Sequence, residues 1–122
     1  MSLTVTSRQK MDGVYLLAPS GRLDTSTYTI LEQRVDVVLK EQPHTLVFDM
    51  ETLDYISSMG VRVIARAQKL MKGYNGSVVL LNLQPQIQKV FDIIKALPSQ
   101  QVFSTMEELD DYLDRMQRQI TG

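Results

Sequence analysis

The stretch LDYISSMGVRVI, residues 53–64, sets two adjacent serines and a glycine between two apolar runs of different rhythm. Upstream, TLVFDM (residues 45–50) is short, β-rich and continuously apolar, the pattern of a strand buried on both faces. Downstream, Gly60, Val63, Ile64, Ala67 and Met71 share one helical face, while Arg62, Arg66 and Lys69 fall largely on the other. Gly73 stands where such a helix would stop. The local order is therefore strand, loop (ETLDYI, 51–56), helix, with Ser57 and Ser58 at the helix start.

Working outward, the same alternation continues. SVVLLNL (77–83) is a second buried strand, and Ile87, Val90, Phe91 and Ile94 form a helical stripe that ends near Pro98. QQVF (100–103) suits a short edge strand. Met106, Leu109, Leu113, Met116 and Ile120 then recur every three or four residues. This last stripe spans about two heptads, short for a coiled coil, so packing on the sheet is expected. Ser104-Thr105-Met106-Glu107 and Thr105-Met106-Glu107-Glu108 are alternative capping boxes for it. Toward the N-terminus, LTVTS alternates and Asp12-Gly13 marks a hairpin turn, giving antiparallel strands near 3–9 and 14–19. Tyr28, Leu31, Val35 and Val38 repeat at helical spacing behind Asp24, Thr25 and Ser26, which offer N-cap oxygens. Strands alternating with helices from residue 46 onward imply parallel pairing. The expected fold class is α/β: one domain over 1–122, a mixed β-sheet opened by an N-terminal antiparallel hairpin and packed with about four α-helices.

Composition removes many chemistries. The chain has 122 residues and a formal net charge of -1, so no basic field directs it to nucleic acid or anionic lipid. With no cysteine, disulfides, thiolate catalysis and thiolate metal sites are absent. The start is polar, without a signal-peptide run, and no stretch approaches the roughly 20 apolar residues that span a bilayer. A soluble, cytoplasmic protein without membrane insertion is expected. The single histidine, His44, precedes the strand whose far end leads to the serines. A five-residue strand is about 17 Å long, which places a serine–histidine couple out of reach; no G-x-S-x-G elbow occurs. The carboxylates lack ligand spacing, and EELDDYLD suits the solvated face and N-terminal charge of the last helix. No phosphate-cradling glycine loop is present. No cofactor, metal or catalytic residue is expected, and the expected protein is a binding module without enzymatic activity. The seven methionines fall mostly on helical stripes, where core packing explains them.

The two serines remain. Serine is a favoured N-cap, and capping alone accounts for one of them. The same geometry suits a second use. Free N–H groups and the positive end of the helix dipole accommodate a phosphate, and phosphorylation adds about -1.5 to -2 charges. A hydroxyl on the first turn can thus accept a phosphoryl group without unfolding the domain, and repel a partner that docked there.

FDMETLDYISSMGVRVIARAQK (48–69) resembles the signature of the STAS domain, the fold of bacterial anti-sigma-factor antagonists. In that pattern a strand ending in Asp is followed by a loop, an aromatic, an aliphatic, small hydroxyl-type residues, Gly and an aliphatic. GRLDTSTYTILEQRV is similar to the family's Gly-x-Leu-Asp segment, and QPQIQKVFDIIKALPSQQVFSTMEELDDYL to its closing helix, short strand and helix. The resemblance covers nearly the whole chain. It implies that Ser58, two residues before Gly60, is the phosphorylation site and that Ser57, where some members have Asp, caps the helix. It also implies that Asp24 is the acidic residue of the neighbouring loop, and that Gly60 lets helix and sheet approach. Met59 departs from the family, which usually has a small residue there.

The function implied is that of an anti-sigma-factor antagonist. Unphosphorylated, it would bind an anti-sigma factor that is usually also a serine protein kinase. Phosphorylation of Ser58 would release it, and a serine phosphatase would restore it. Arg62 and Arg66 are candidate partner contacts on the exposed helix face. The alternative is a non-phosphorylated STAS adaptor subunit of a transporter or stress-signalling complex. A monomer or weak homodimer is expected.

Overall fold

A computed structural model describes residues 2–94 and 102–121. Strand β1 (Leu3–Met11) turns at Asp12-Gly13 into β2 (Val14–Leu23). Gly13 has φ +76°, and a Cβ there would lie 2.3 Å from the His44 ring, so the turn needs glycine for both reasons. Then follow α1 (Tyr28–Leu39), β3 (Thr45–Asp49), β4 (Leu53–Ile56), α2 (Ser58–Lys72), β5 (Ser77–Leu81), α3 (Pro85–Ile94), β6 (Val102–Phe103) and α4 (Met106–Thr121).

The sheet runs β1-β2-β3-β5-β6, antiparallel at β1–β2 and parallel elsewhere, the mixed sheet the sequence predicts. Opposite β1, the second edge of β2 is long enough to serve two neighbours. Its first half pairs with β3 (Val14↔Thr45 to Leu17↔Phe48), and its end pairs with β4 (Gly21↔Leu53, Arg22↔Tyr55, Leu23↔Ile56). Here the expected loop at 51–56 is wrong: residues 53–56 form a strand. Its burial runs buried, exposed, exposed, buried, because a register shift between Gly21 and Arg22 breaks the alternation that would have marked it.

Side-chain parity sorts the core into two layers. Leu17, Leu23, Leu46, Phe48, Ile56, Val78 and Leu80 meet the buried stripes of α1, α2 and α3 on one face. Val14, Leu16, Val47, Val79 and Leu81 meet Leu109 and Leu113 of α4 on the other. The last helix therefore packs on the sheet, as its short stripe implies, and Lys10 ties β1 to it through Asp110 at 2.8 Å. Thr105 Oγ1 accepts from Glu108 N (3.2 Å), selecting the second of the two capping boxes; the Glu108 carboxylate accepts from Ser104 N (2.7 Å).

Two helix ends differ from expectation. The N-cap of α1 is Thr27 and not one of residues 24–26: Asp24 and Ser26 hydrogen-bond each other, and the Thr27 hydroxyl makes no cap bond because it donates to Arg22 O and accepts from Asp24 N. Gly73 does end α2, but with φ -61°; the left-handed residue that turns the chain is Asn75, φ 68°. Pro98, Gln100 and Gln101 lie outside the described residues, as does the side chain of Ile120.

Candidate functional site

The site is built where β2 and β4 end side by side. Leu23 pairs with Ile56, and Ser57 N donates to Leu23 O at 2.9 Å. The next residues, Asp24 on one chain segment and Ser57-Ser58 on the other, are thereby held as neighbouring loops at the carboxyl ends of parallel strands. Crevices of this kind are where open α/β sheets bind ligands and partners.

Ser57 has extended backbone (φ -97°, ψ 173°), and its Oγ accepts from Gly60 N at 3.4 Å, a long N-cap bond. That use of Ser57 leaves Ser58 as the first helical residue, with an exposed side chain. Met59 is half-buried beside it. Gly60 is buried; a Cβ there would lie 2.7 Å from Leu23 Cγ and 2.8 Å from Ile56 Cγ1. Only glycine lets the first turn of α2 sit this close to the two strand ends.

Asp24 makes a compact polar knot. Its Oδ1 accepts from Ser26 N (3.0 Å) and Ser26 Oγ (2.8 Å), while its backbone N–H donates to Thr27 Oγ1 (2.9 Å). The Thr27 hydroxyl donates to Arg22 O (2.7 Å) and lies 3.1 Å from Asp24 Oδ1. The Ser26 hydroxyl, then the Ser26 N–H, hold the Asp24 carboxyl below its ordinary pKa, helped by Thr27 and Arg22 and opposed by burial. Asp24 thus organises its own loop as an ionised carboxylate.

Three side chains near the site carry signals the sequence alone did not give. Arg22 lies 4.2 Å over the Tyr55 ring, with Nε 3.6 Å from Asp24 Oδ2. The partnership exists only because of the β2–β4 register, which the loop reading of 51–56 concealed. Gln84, at the entry to α3, donates to Glu51 O (2.7 Å) and Leu53 O (2.9 Å), fixing the turn that leads into β4.

Along α2, Arg62 stands one turn beyond Ser58, exposed, with no ion pair among the described residues. Arg66, a turn further, is committed: its Nη1 lies 2.9 Å from Asp36 Oδ1 on α1. Asp24, Ser57, Ser58, Met59 and Gly60 are thus gathered at one place, Arg62 borders it, and Arg66 is tied to α1. His44 sits at the start of β3 beside Gly13, bonded to Thr45 Oγ1 (2.8 Å), at the end opposite the serines. Among the described residues no cluster of His, Cys, Asp or Glu could hold a metal ion.

The STAS domain profile matches residues 6–109, most of the chain and every element of the site. The chain belongs to the STAS domain family. A relative in Bordetella bronchiseptica, provisionally named anti-sigma factor antagonist BtrV, is 31% identical over 93 residues, 76% of this chain and 78% of its own. Solved structures share the STAS fold. An anti-sigma factor antagonist from Mycobacterium paratuberculosis superposes with TM-score 0.76 at 23% identity, covering 88% of this chain and 90% of that one. The anti-sigma factor antagonist SpoIIAA in its unphosphorylated form superposes with TM-score 0.76 at 21% identity, covering 91% and 96%. SpoIIAA of Bacillus is also solved in a phosphorylated form. No helix among the described residues of this STAS domain is long and apolar enough to cross a membrane.

Proposed function

We propose that this STAS domain is an anti-sigma-factor antagonist switched by phosphorylation of Ser58. In its unmodified form it binds an anti-sigma factor that is also a serine kinase, and the bound sigma factor is released. The kinase transfers the γ-phosphoryl group of ATP to the Ser58 hydroxyl oxygen, with ADP leaving and the hydroxyl proton lost to a base on the kinase. A serine phosphatase hydrolyses the phosphoester and restores the binding form. The domain is the substrate and the binding module, and the catalysis belongs to its partners.

One observation carries this reading: of the two serines, Ser57 is used as the cap and Ser58 is left exposed on the first turn of α2. A phosphoryl group there meets free N–H groups and the positive end of the helix dipole, so the fold tolerates it. An apolar or acidic partner seated on the same turn does not, because about two negative charges now need solvating at the contact. The relatives' names support the partner class.

Affinity capture from native lysate, with wild type and Ser58→Asp as baits, tests the reading. Recovery of a serine kinase by wild type and its loss with Ser58→Asp is the expected result. Capture of one set of permease or scaffold proteins by both baits would sink the switch and leave Ser58 a surface residue of an adaptor.

A further inference from the structure

The net charge of -1 conceals a division of charge between the two faces of the sheet. Helix α2 carries Arg62, Arg66, Lys69 and Lys72 and no acidic residue. Helix α4, on the opposite face, carries five acids, Glu107, Glu108, Asp110, Asp111 and Asp114, against Arg115 and Arg118. At 100° per residue, Ser58, Arg62, Arg66, Lys69 and Lys72 fall within an arc of about 120°. All five are exposed, so they form one stripe with Ser58 at its head. The stripe runs roughly 20 Å along the helix.

Its cations are not equally available. Arg66 is held by Asp36, whereas Arg62, Lys69 and Lys72 have no ion pair among the described residues. Lys69 and Lys72 also suit the negative end of the helix dipole. Arg62 has no such reason for its place: it sits in the first half of α2, four residues beyond Ser58. An anion at position i and a cation at i+4, in that order, is the favourable arrangement on a helix.

We propose that the stripe is the docking surface for an acidic face of the protein partner, and that phosphate on Ser58 closes it by pairing with Arg62. This rests on the reading of Ser58 as the modified residue and adds the partner's chemistry and the means of release. Phosphorylation then acts twice. It sets a dianion in line with the stripe, and it engages the cation nearest the site, so the partner's carboxylates lose an attraction and gain a repulsion. An acidic protein is favoured over an anionic membrane or a nucleic acid. Only Leu70 adds a large exposed apolar side chain to this helix, leaving little to insert into lipid, and the acids of α4 oppose wrapping by a polyanion.

Two measurements on the full chain test this without the natural partner. The first uses chain with phosphoserine incorporated at position 58, titrated by 31P NMR with and without Arg62→Gln. Arg62 should lower the second phosphate pKa by roughly 0.3 unit or more at low salt; identical titrations would overturn the pairing. The second uses a deca-glutamate peptide at low ionic strength, followed by amide shifts. Perturbations centred on residues 58–72, weakened several-fold by Arg62→Gln with Lys69→Gln and by phosphoserine at 58, are expected. Perturbations absent or centred elsewhere would overturn the docking surface, as would deca-glutamate silence combined with recruitment to phosphatidylserine vesicles. Neither readout depends on which proteins lysate capture returns, so failure here is distinct from failure of the antagonist reading.

Discussion

Gly60 and Leu23 are in a contact that admits no side chain on the glycine: a Cβ would come within 2.7 Å of Leu23 Cγ and 2.9 Å of Leu23 Cδ2. Alanine normally favours a helix over glycine by about 1 kcal/mol. Here the clash should reverse that sign, and Gly60→Ala should destabilise by about 1–3 kcal/mol. Urea unfolding measures it. A more stable variant would mean that α2 does not rest against the ends of β2 and β4.

The division of labour between the serines predicts opposite mutational profiles. Ser57→Ala removes the oxygen that accepts from Gly60 N and should cost about 0.5–1 kcal/mol, toward the low end because the bond is long. Ser58→Ala and Ser58→Asp, at an exposed first-turn position, should change stability by less than about 0.5 kcal/mol. Binding should show the reverse pattern, with Ser58→Asp weakening partner capture and Ser57→Ala sparing it. Equal loss of stability at both positions would contradict the assignment of the cap.

Most of the fold was legible because each long element carries its own periodicity. The α4 stripe, the buried runs of β3 and β5 and the Asp12-Gly13 turn are local signals. β4 was not legible, since four residues interrupted by a register shift show neither alternation nor continuous burial. The cap of α1 was hidden for a different reason: Asp24, Thr25 and Ser26 all look competent, but Asp24 bonds forward to Ser26 and the helix starts after Thr27. The two serines could be singled out because they punctuate the chain between a strand and a helix, whereas Gly60 and Asp24 were joined to them by the resemblance to the STAS signature. Arg22 on Tyr55, and Arg66 with Asp36, could not, because each pair is made by tertiary register between residues tens of positions apart.

Arg66 and Asp36 form an exposed pair, with side chains 43% and 48% accessible. A double-mutant cycle on Arg66→Gln and Asp36→Asn should give a coupling below about 1 kcal/mol, shrinking as salt is raised. The tie therefore orients Arg66 along α1 more than it stabilises the fold. Lysate capture with Arg66→Gln should lose less partner than with Arg62→Gln. The opposite order would place the partner across α1 and α2 instead of along the stripe headed by Ser58.

The carboxyl of Asp24 titrates below its ordinary value, chiefly through the Ser26 hydroxyl. Its contribution is present above the unfolded carboxylate range of about 4 and is lost as pH falls through the lower folded value. Wild type should lose more stability between pH 5 and pH 2 than Asp24→Asn does. Ser26→Ala, which removes the main cause of the shift, should fall between them. Urea midpoints across that window are the measurement, and parallel curves for wild type and Asp24→Asn would show that the knot around Thr27 does not depend on charge.

Tyr74 offers the opposite case. Its hydroxyl is buried without a hydrogen-bond partner among the described residues, and burial raises its pKa above the ordinary value. An unpaired buried hydroxyl costs free energy that a phenyl ring of the same shape does not. Tyr74→Phe should therefore be neutral or stabilising, by up to about 1 kcal/mol. The pH dependence has a definite sign. A folded pKa above the unfolded one, about 10, gives stability that is full below that value and is lost as pH rises beyond it, because the unfolded chain sheds the proton first. Wild type should weaken more steeply than Tyr74→Phe between pH 9 and pH 11, read by urea unfolding at fixed salt. A Tyr74→Phe variant that is clearly less stable at neutral pH would show that the hydroxyl has a partner in solution, and the ring would then be anchored by a polar contact at the turn between α2 and β5.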